Sequence, residues 1–104
     1  MADLPKRFVE FTEKFPDVAK AYENLGAAIH KSGPLDEKTR ALVKVAISIA
    51  AGLEGGVHSH VRKALAAGVK KEELYHVALL AIQTIGFPGA MAGMSWIDDI
   101  VKGS

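Results

Sequence analysis

The sequence predicts an all-α bundle of about six helices, on three observations. Apolar residues recur at i, i+3 and i+4 through most of the chain, and no stretch alternates with the period of two expected of a half-buried strand. Turn-forming clusters (Ser32-Gly33-Pro34, Gly55-Gly56, Gly68, and Gly86-Phe87-Pro88-Gly89) divide those apolar segments. Two segments, Ala41–Ala51 and Val77–Ile82, are apolar almost all the way round, so other helices or other subunits must enclose them.

The first helix is expected over 4–15, with Asp3 as its cap, Pro5 in its first turn and Phe8, Phe11 and Phe15 at helical spacing. Pro16-Asp17 resets the chain, and Val18, Ala21, Tyr22, Leu25 and Ile29 mark a second helix over 17–31 that Gly33 and Pro34 end. His30 is a solvated helix-end residue on this reading. Asp36 caps the third helix, with Glu37 in its first turn. Along that helix Arg40, Lys44 and Ser48 form one narrow polar stripe, facing either solvent and a subunit boundary or a pocket for an anionic ligand.

Gly52, Gly55 and Gly56 surround Leu53-Glu54, which suggests a break followed by a fourth helix over 57–67. Val57, Val61, Ala64 and Leu65 are expected inward, with Arg62 and Lys63 on the opposite side and Gly68 as the C-terminal cap. Glu72-Glu73 begin the fifth helix, on which His76 and Gln83 mark the polar line. The last helix is expected over 89–101, with Met91, Met94, Ile97 and Val101 inward and Asp98-Asp99 outward. Trp96 falls off that stripe, a candidate for contact with a partner subunit.

At 104 residues the chain is expected to be a single domain over 1–104, near the size at which association adds useful burial. Of its residues 49% are hydrophobic and only 24% charged, so the excess apolar surface of the third and fifth helices points to a homo-oligomer. A net charge of +1 with no Lys/Arg block leaves no nucleic-acid surface. The absence of cysteine excludes disulfides, thiolate metal sites and thiol redox chemistry. Asp3, Lys6 and Arg7 interrupt any signal-like run, and Val45–Leu53 is too short to cross a bilayer, so no membrane association and a cytoplasmic location are expected.

The candidate chemical residues are Glu54, His58 and His60, with Arg40, Lys44 and Arg62 as cations for a ligand and His76 as a structural residue. His60 beside an apolar arc is either a hydrogen-bonded structural ring or a proton carrier. His58 has Arg62 one turn on, which suits a wet edge, and Glu54 either accepts backbone N–H groups at the helix start or takes part in chemistry. His58 and His60, about 200° apart on a helix, diverge and so do not form a metal pair. Glu54 and His58 at i, i+4 converge only if the intervening glycines are helical. No metal and no cofactor are expected.

The run EGGVHSHVRKALAAGVKKEELYHVALLAIQTIGFPGA resembles the carboxymuconolactone decarboxylase family, which also contains the alkylhydroperoxidase AhpD-like proteins. The likeness lies in the order of its parts. A helix precedes a Gly break, then comes His-Val-Arg-Lys-Ala-Leu with Gly eight residues after the His, then Glu-Glu-Leu and an apolar helix ending in Gly-x-Pro. It covers about Leu35–Ala90 and implies an AhpD-like helical bundle assembled as trimers or hexamers. Peroxidase members carry Cys-x-x-Cys four residues before the matching His, with a relay Glu upstream. Here those positions hold Leu53, Gly56 and, near the relay, Ala41, so only His60 is kept and thiol peroxidase chemistry is excluded.

The resemblance therefore implies the cysteine-free decarboxylase branch, a lyase acting on a small carboxylated lactone or keto acid. In that reading His60 moves the proton, Glu54 or His58 orients it, and Arg40, Lys44 or Arg62 holds a carboxylate. The alternative is a non-catalytic or ligand-binding oligomer of the same fold. A third course is another reaction at the same His/Glu site with a bound cofactor or metal.

Overall fold

The structure is a computed structural model, and it describes residues 5–103. Six helices follow one another: α1 (Lys6–Lys14), α2 (Pro16–Lys31), α3 (Glu37–Ala50), α4 (Glu54–Ala66), α5 (Lys71–Ile85) and α6 (Phe87–Val101). No strand occurs among the described residues. The chain divides into two compact units, the first ending at Leu35 and the second running from Asp36.

In the first unit Pro16 occupies the opening turn of α2, where its missing N–H costs nothing, and Asp17 complements the positive end of the helix. The rings of Phe11 and Phe15 meet across the α1–α2 junction, 5.8 Å between centroids. Ser32 closes α2 by donating its hydroxyl to the Ala28 carbonyl, 2.7 Å away. The Asp3 cap expected ahead of α1 lies outside the described residues.

The second unit carries the core. Asp36 caps α3 by accepting the Thr39 backbone N–H at 2.8 Å, and that hydrogen bond holds its carboxyl below the usual range. Both α3 and α4 end in the same way. Gly52, with φ of +70°, and Gly68, with φ of +93°, take the left-handed conformation that only glycine adopts without strain. The next residue then turns back: Leu53 N–H donates to the Ser48 carbonyl, and Val69 N–H to that of Ala64. At the start of α5 the Glu73 side chain accepts the Lys70 backbone N–H at 2.9 Å.

Val45 and Ile49 of α3, Val57, Val61 and Ala64 of α4, Leu74 and Ala78 of α5, and Ile97 and Ile100 of α6 make one buried cluster, with Val69 between α4 and α5 completing it. Two expectations change here. The chain breaks at Gly52-Leu53, and α4 begins at Glu54, so Gly55 and Gly56 are helical. Gly56 instead permits a close approach, since a Cβ there would lie 3.1 Å from Ser48 Oγ and 3.2 Å from Leu53 Cβ. Leu65 is 36% exposed rather than inward, because it leaves the helix about 80° round from Val57. Trp96 packs against the edge of the core.

The outer faces of α3 and α5 bear out the apolar surplus read from the sequence. Ile47 is 60% and Leu80 62% exposed, and with Leu42, Ala46, Val77 and Ile85 they line an open apolar groove of about 560 Å³ between the two helices.

Candidate functional site

Helix α4 presents two different polar faces, because residues two apart leave a helix about 200° from one another. His58 turns toward α6. Its Nε2 lies 2.9 Å from Asp99 Oδ2, with the imidazole side chain 22% and the carboxylate 52% exposed. Glu54, the first residue of α4, sits one turn before His58 on the same face. Glu54, His58 and Asp99 each offer one donor atom, and the three atoms lie within 4.8 Å of one another. This convergence depends on Gly55 and Gly56 being helical.

His60 belongs to the other face. It is partly buried, and loss of hydration lowers its pKa below the ordinary imidazole value, with the ammonium groups of Lys63 and Lys44 acting in the same direction. Lys44, on α3, is itself lowered by burial and then by Lys63 and Arg40. The ring of His60 is therefore neutral near pH 7 and faces a field of positive charge. That field suits an anion.

The structure thus divides the residues picked out by sequence. Arg40 and Lys44 act on the His60 side, and Glu54 and His58 are drawn to Asp99. Arg62 lies one turn beyond His58, not with Arg40 and Lys44, and its Nε is buried without a hydrogen-bond partner among the described residues. His76 lines the α3–α5 groove with Glu73, and His60 is not among the residues of that groove. Asp99 and Lys63 are exposed, in keeping with their expected outward and non-core placement, but sequence reasoning connected neither the first to His58 nor the second to His60. Nothing local to Asp99 signals its partner, which is 41 residues away. The i, i+3 spacing of His60 and Lys63 was a usable signal. The neighbouring Asp98 has a different role: it accepts the Tyr75 hydroxyl at 2.6 Å and pairs with Lys102 at 3.6 Å.

Comparison with known proteins adds a family and a fold. Residues 16–99 match the model of the carboxymuconolactone decarboxylase family. An uncharacterized protein of Haemophilus influenzae is 33% identical over 61 residues, which are 59% of this chain and 54% of that protein, so the match spans about half the length of this curated relative. The apo crystal structure of a carboxymuconolactone decarboxylase family protein from Legionella pneumophila superposes with a TM-score of 0.74 at 23% identity, covering 92% of this chain and 88% of that one. A crystal structure of a proposed carboxymuconolactone decarboxylase from Burkholderia xenovorans gives 0.69 at 24% identity, covering 96% and 81%. These structures establish the all-α fold. No helix among the described residues is long and apolar enough to cross a membrane.

Proposed function

The chain belongs to the carboxymuconolactone decarboxylase family, and on that premise we propose that it is a lyase for a small carboxylated lactone or keto acid, with His60 as the proton carrier. One observation carries the reading: a neutral, partly desolvated imidazole lies in the field of Lys44 and Lys63. Loss of CO2 breaks a carbon–carbon bond and leaves its electron pair on the substrate, where a conjugated carbonyl spreads it until carbon is protonated. A substrate carboxylate entering this field offsets the ammonium charges and raises the His60 pKa, so the ring gains the proton it then delivers. Lys44, backed by Arg40 one turn earlier on α3, holds the carboxylate. No thiol takes part, because the chain has no cysteine.

The test is turnover of carboxylated muconolactones and short keto acids, followed by CO2 release and by NMR of the product. His60→Gln should lower kcat by about 10²–10⁴-fold, the usual range for a lost acid–base group, and Lys44→Met should act mainly on KM. Full turnover by His60→Gln would remove the assignment, and no turnover by the wild type on any of these acids would remove the lyase reading.

The second reading is a ligand-binding protein without catalysis. It is favoured by the α3–α5 groove, whose volume of about 560 Å³ and apolar wall suit a small apolar ligand. Ligand binding that survives His60→Gln and fails in groove variants would select it. With either reading we propose one family domain over 1–104 that works in the cytoplasm as a homo-oligomer, trimeric or hexameric. The exposed Val43, Ile47, Leu79 and Leu80 support association.

A further inference from the structure

We propose that Glu54, His58 and Asp99 form a binding site for a first-row divalent cation of the zinc, cobalt or manganese class, separate from the His60 site. The first argument is convergence. Three donors from two helices lie within 4.8 Å of one another, and a cation with bonds of about 2.0–2.2 Å to its ligands spaces adjacent donors roughly 3–3.5 Å apart. His58 Nε2 and Asp99 Oδ2, at 2.9 Å, already stand at that spacing. Glu54 and Asp99 are both exposed, which leaves their side chains room to turn the third donor inward.

The second argument is the frame that carries the donors. Glu54 and His58 are held one turn apart on α4, and Asp99 sits on α6. Val57 and Val61 bury one side of α4 against the same core that holds Ile97 and Ile100 of α6. A pair of buried residues therefore flanks each donor helix, and the donors inherit its register. Asp98 and Asp99 are adjacent yet divided in use, the first engaged by Tyr75 and Lys102 and the second by His58.

The third argument is the chemistry of the set. One imidazole and two carboxylates suit a borderline divalent ion, and the two negative charges outweigh the single positive charge of Arg62 one turn beyond His58. Two donors are largely exposed, so water would complete the coordination and leave positions open to a ligand. Binding requires Nε2 of His58 to release the proton it shares with Asp99, which then resides on Nδ1 or leaves to solvent.

The experiment is titration of chelator-treated full-length protein with Zn²⁺, read by calorimetry, with Co²⁺ absorption and the ¹⁵N shift of His58 Nε2 as independent readouts. One equivalent per chain is expected, with a large Nε2 shift and a metal-dependent rise in Tm. His58→Ala and Asp99→Asn should each weaken binding at least tenfold, and Glu54→Gln should weaken it less. Asp99→Asn is isosteric, and circular dichroism will report whether its fold is kept. His60→Gln and His76→Gln should bind as the wild type does. Absence of a saturable one-equivalent step, or a step that survives both His58→Ala and Asp99→Asn, overturns the proposal. Because His60→Gln is expected to bind metal normally, failure here is distinct from failure of the lyase reading.

Discussion

Gly93 provides the sharpest test of how α6 is set against α3. A Cβ added there would lie 2.7 Å from Ile49 Cγ2 and 2.9 Å from Cγ1, closer than real Cβ atoms come. Those atoms are not the loose end of a side chain: both are bonded to Cβ of a residue only 2% exposed, so relief requires α3 and α6 to separate. Overpacking of this kind costs about 1–3 kcal/mol, against about 1 kcal/mol gained by replacing glycine with alanine inside a helix. The net expectation for Gly93→Ala is a loss of up to about 2 kcal/mol, at most on the order of 10 °C in Tm for a chain of this size. Urea unfolding in a double-mutant cycle isolates the cause. With Ile49→Val both offending carbons remain, so Gly93→Ala should still destabilise. With Ile49→Ala they are gone, and the same substitution should become stabilising by up to about 1 kcal/mol. If Gly93→Ala stabilises the otherwise unaltered protein, or if its effect is equal in all three backgrounds, the close approach of α6 to α3 is wrong. The register of Asp99 against His58 would then be wrong with it.

Two further outcomes are expected. The folded-state pKa of His60 lies below its unfolded value, so the unfolded chain binds the extra proton; stability is therefore lost as pH falls from about 7 through 6.5 toward the folded value. The urea midpoint of the wild type relative to His60→Gln should fall across that window and level off below it; a relative rise would contradict the burial and charge assigned to His60. Separately, Ile47→Glu and Leu80→Glu alter residues 60% and 62% exposed, so each should leave the fold of a lone chain within about 0.5 kcal/mol. If α3 and α5 meet a second copy, either change should reduce the mass measured by size exclusion with light scattering, whereas a wild-type monomer at micromolar concentration would refute the proposed assembly.

What could be read from the sequence was set by how local its cause is. The Asp36 cap and the Gly68 ending involve groups a few residues apart, and both are found as expected. The apolar circumference of α3 and α5 was equally legible, because periodicity reports how much of a helix needs cover even when it cannot name the cover. Gly55-Gly56 was misread because glycine serves two ends, a chain break or a close approach. Which one applies depends on Ser48, a buried residue on another helix. The pairing of His58 with Asp99 had no local trace at all.

That misreading matters beyond the boundary of one helix. With a break at Gly55-Gly56, Glu54 would have been a loop residue, available to orient either histidine. With α4 continuous from Glu54, the helix fixes it one turn from His58 and about a third of a turn round from His60. The residues that the sequence grouped as one His/Glu pocket therefore fall on two faces of α4 with opposite surroundings: an imidazole near the ammonium groups of Lys63 and Lys44, and an imidazole near the carboxylates of Glu54 and Asp99. An anion favours the first and a cation the second. The same short helix can thus carry both without either ligand neutralising the groups that hold the other.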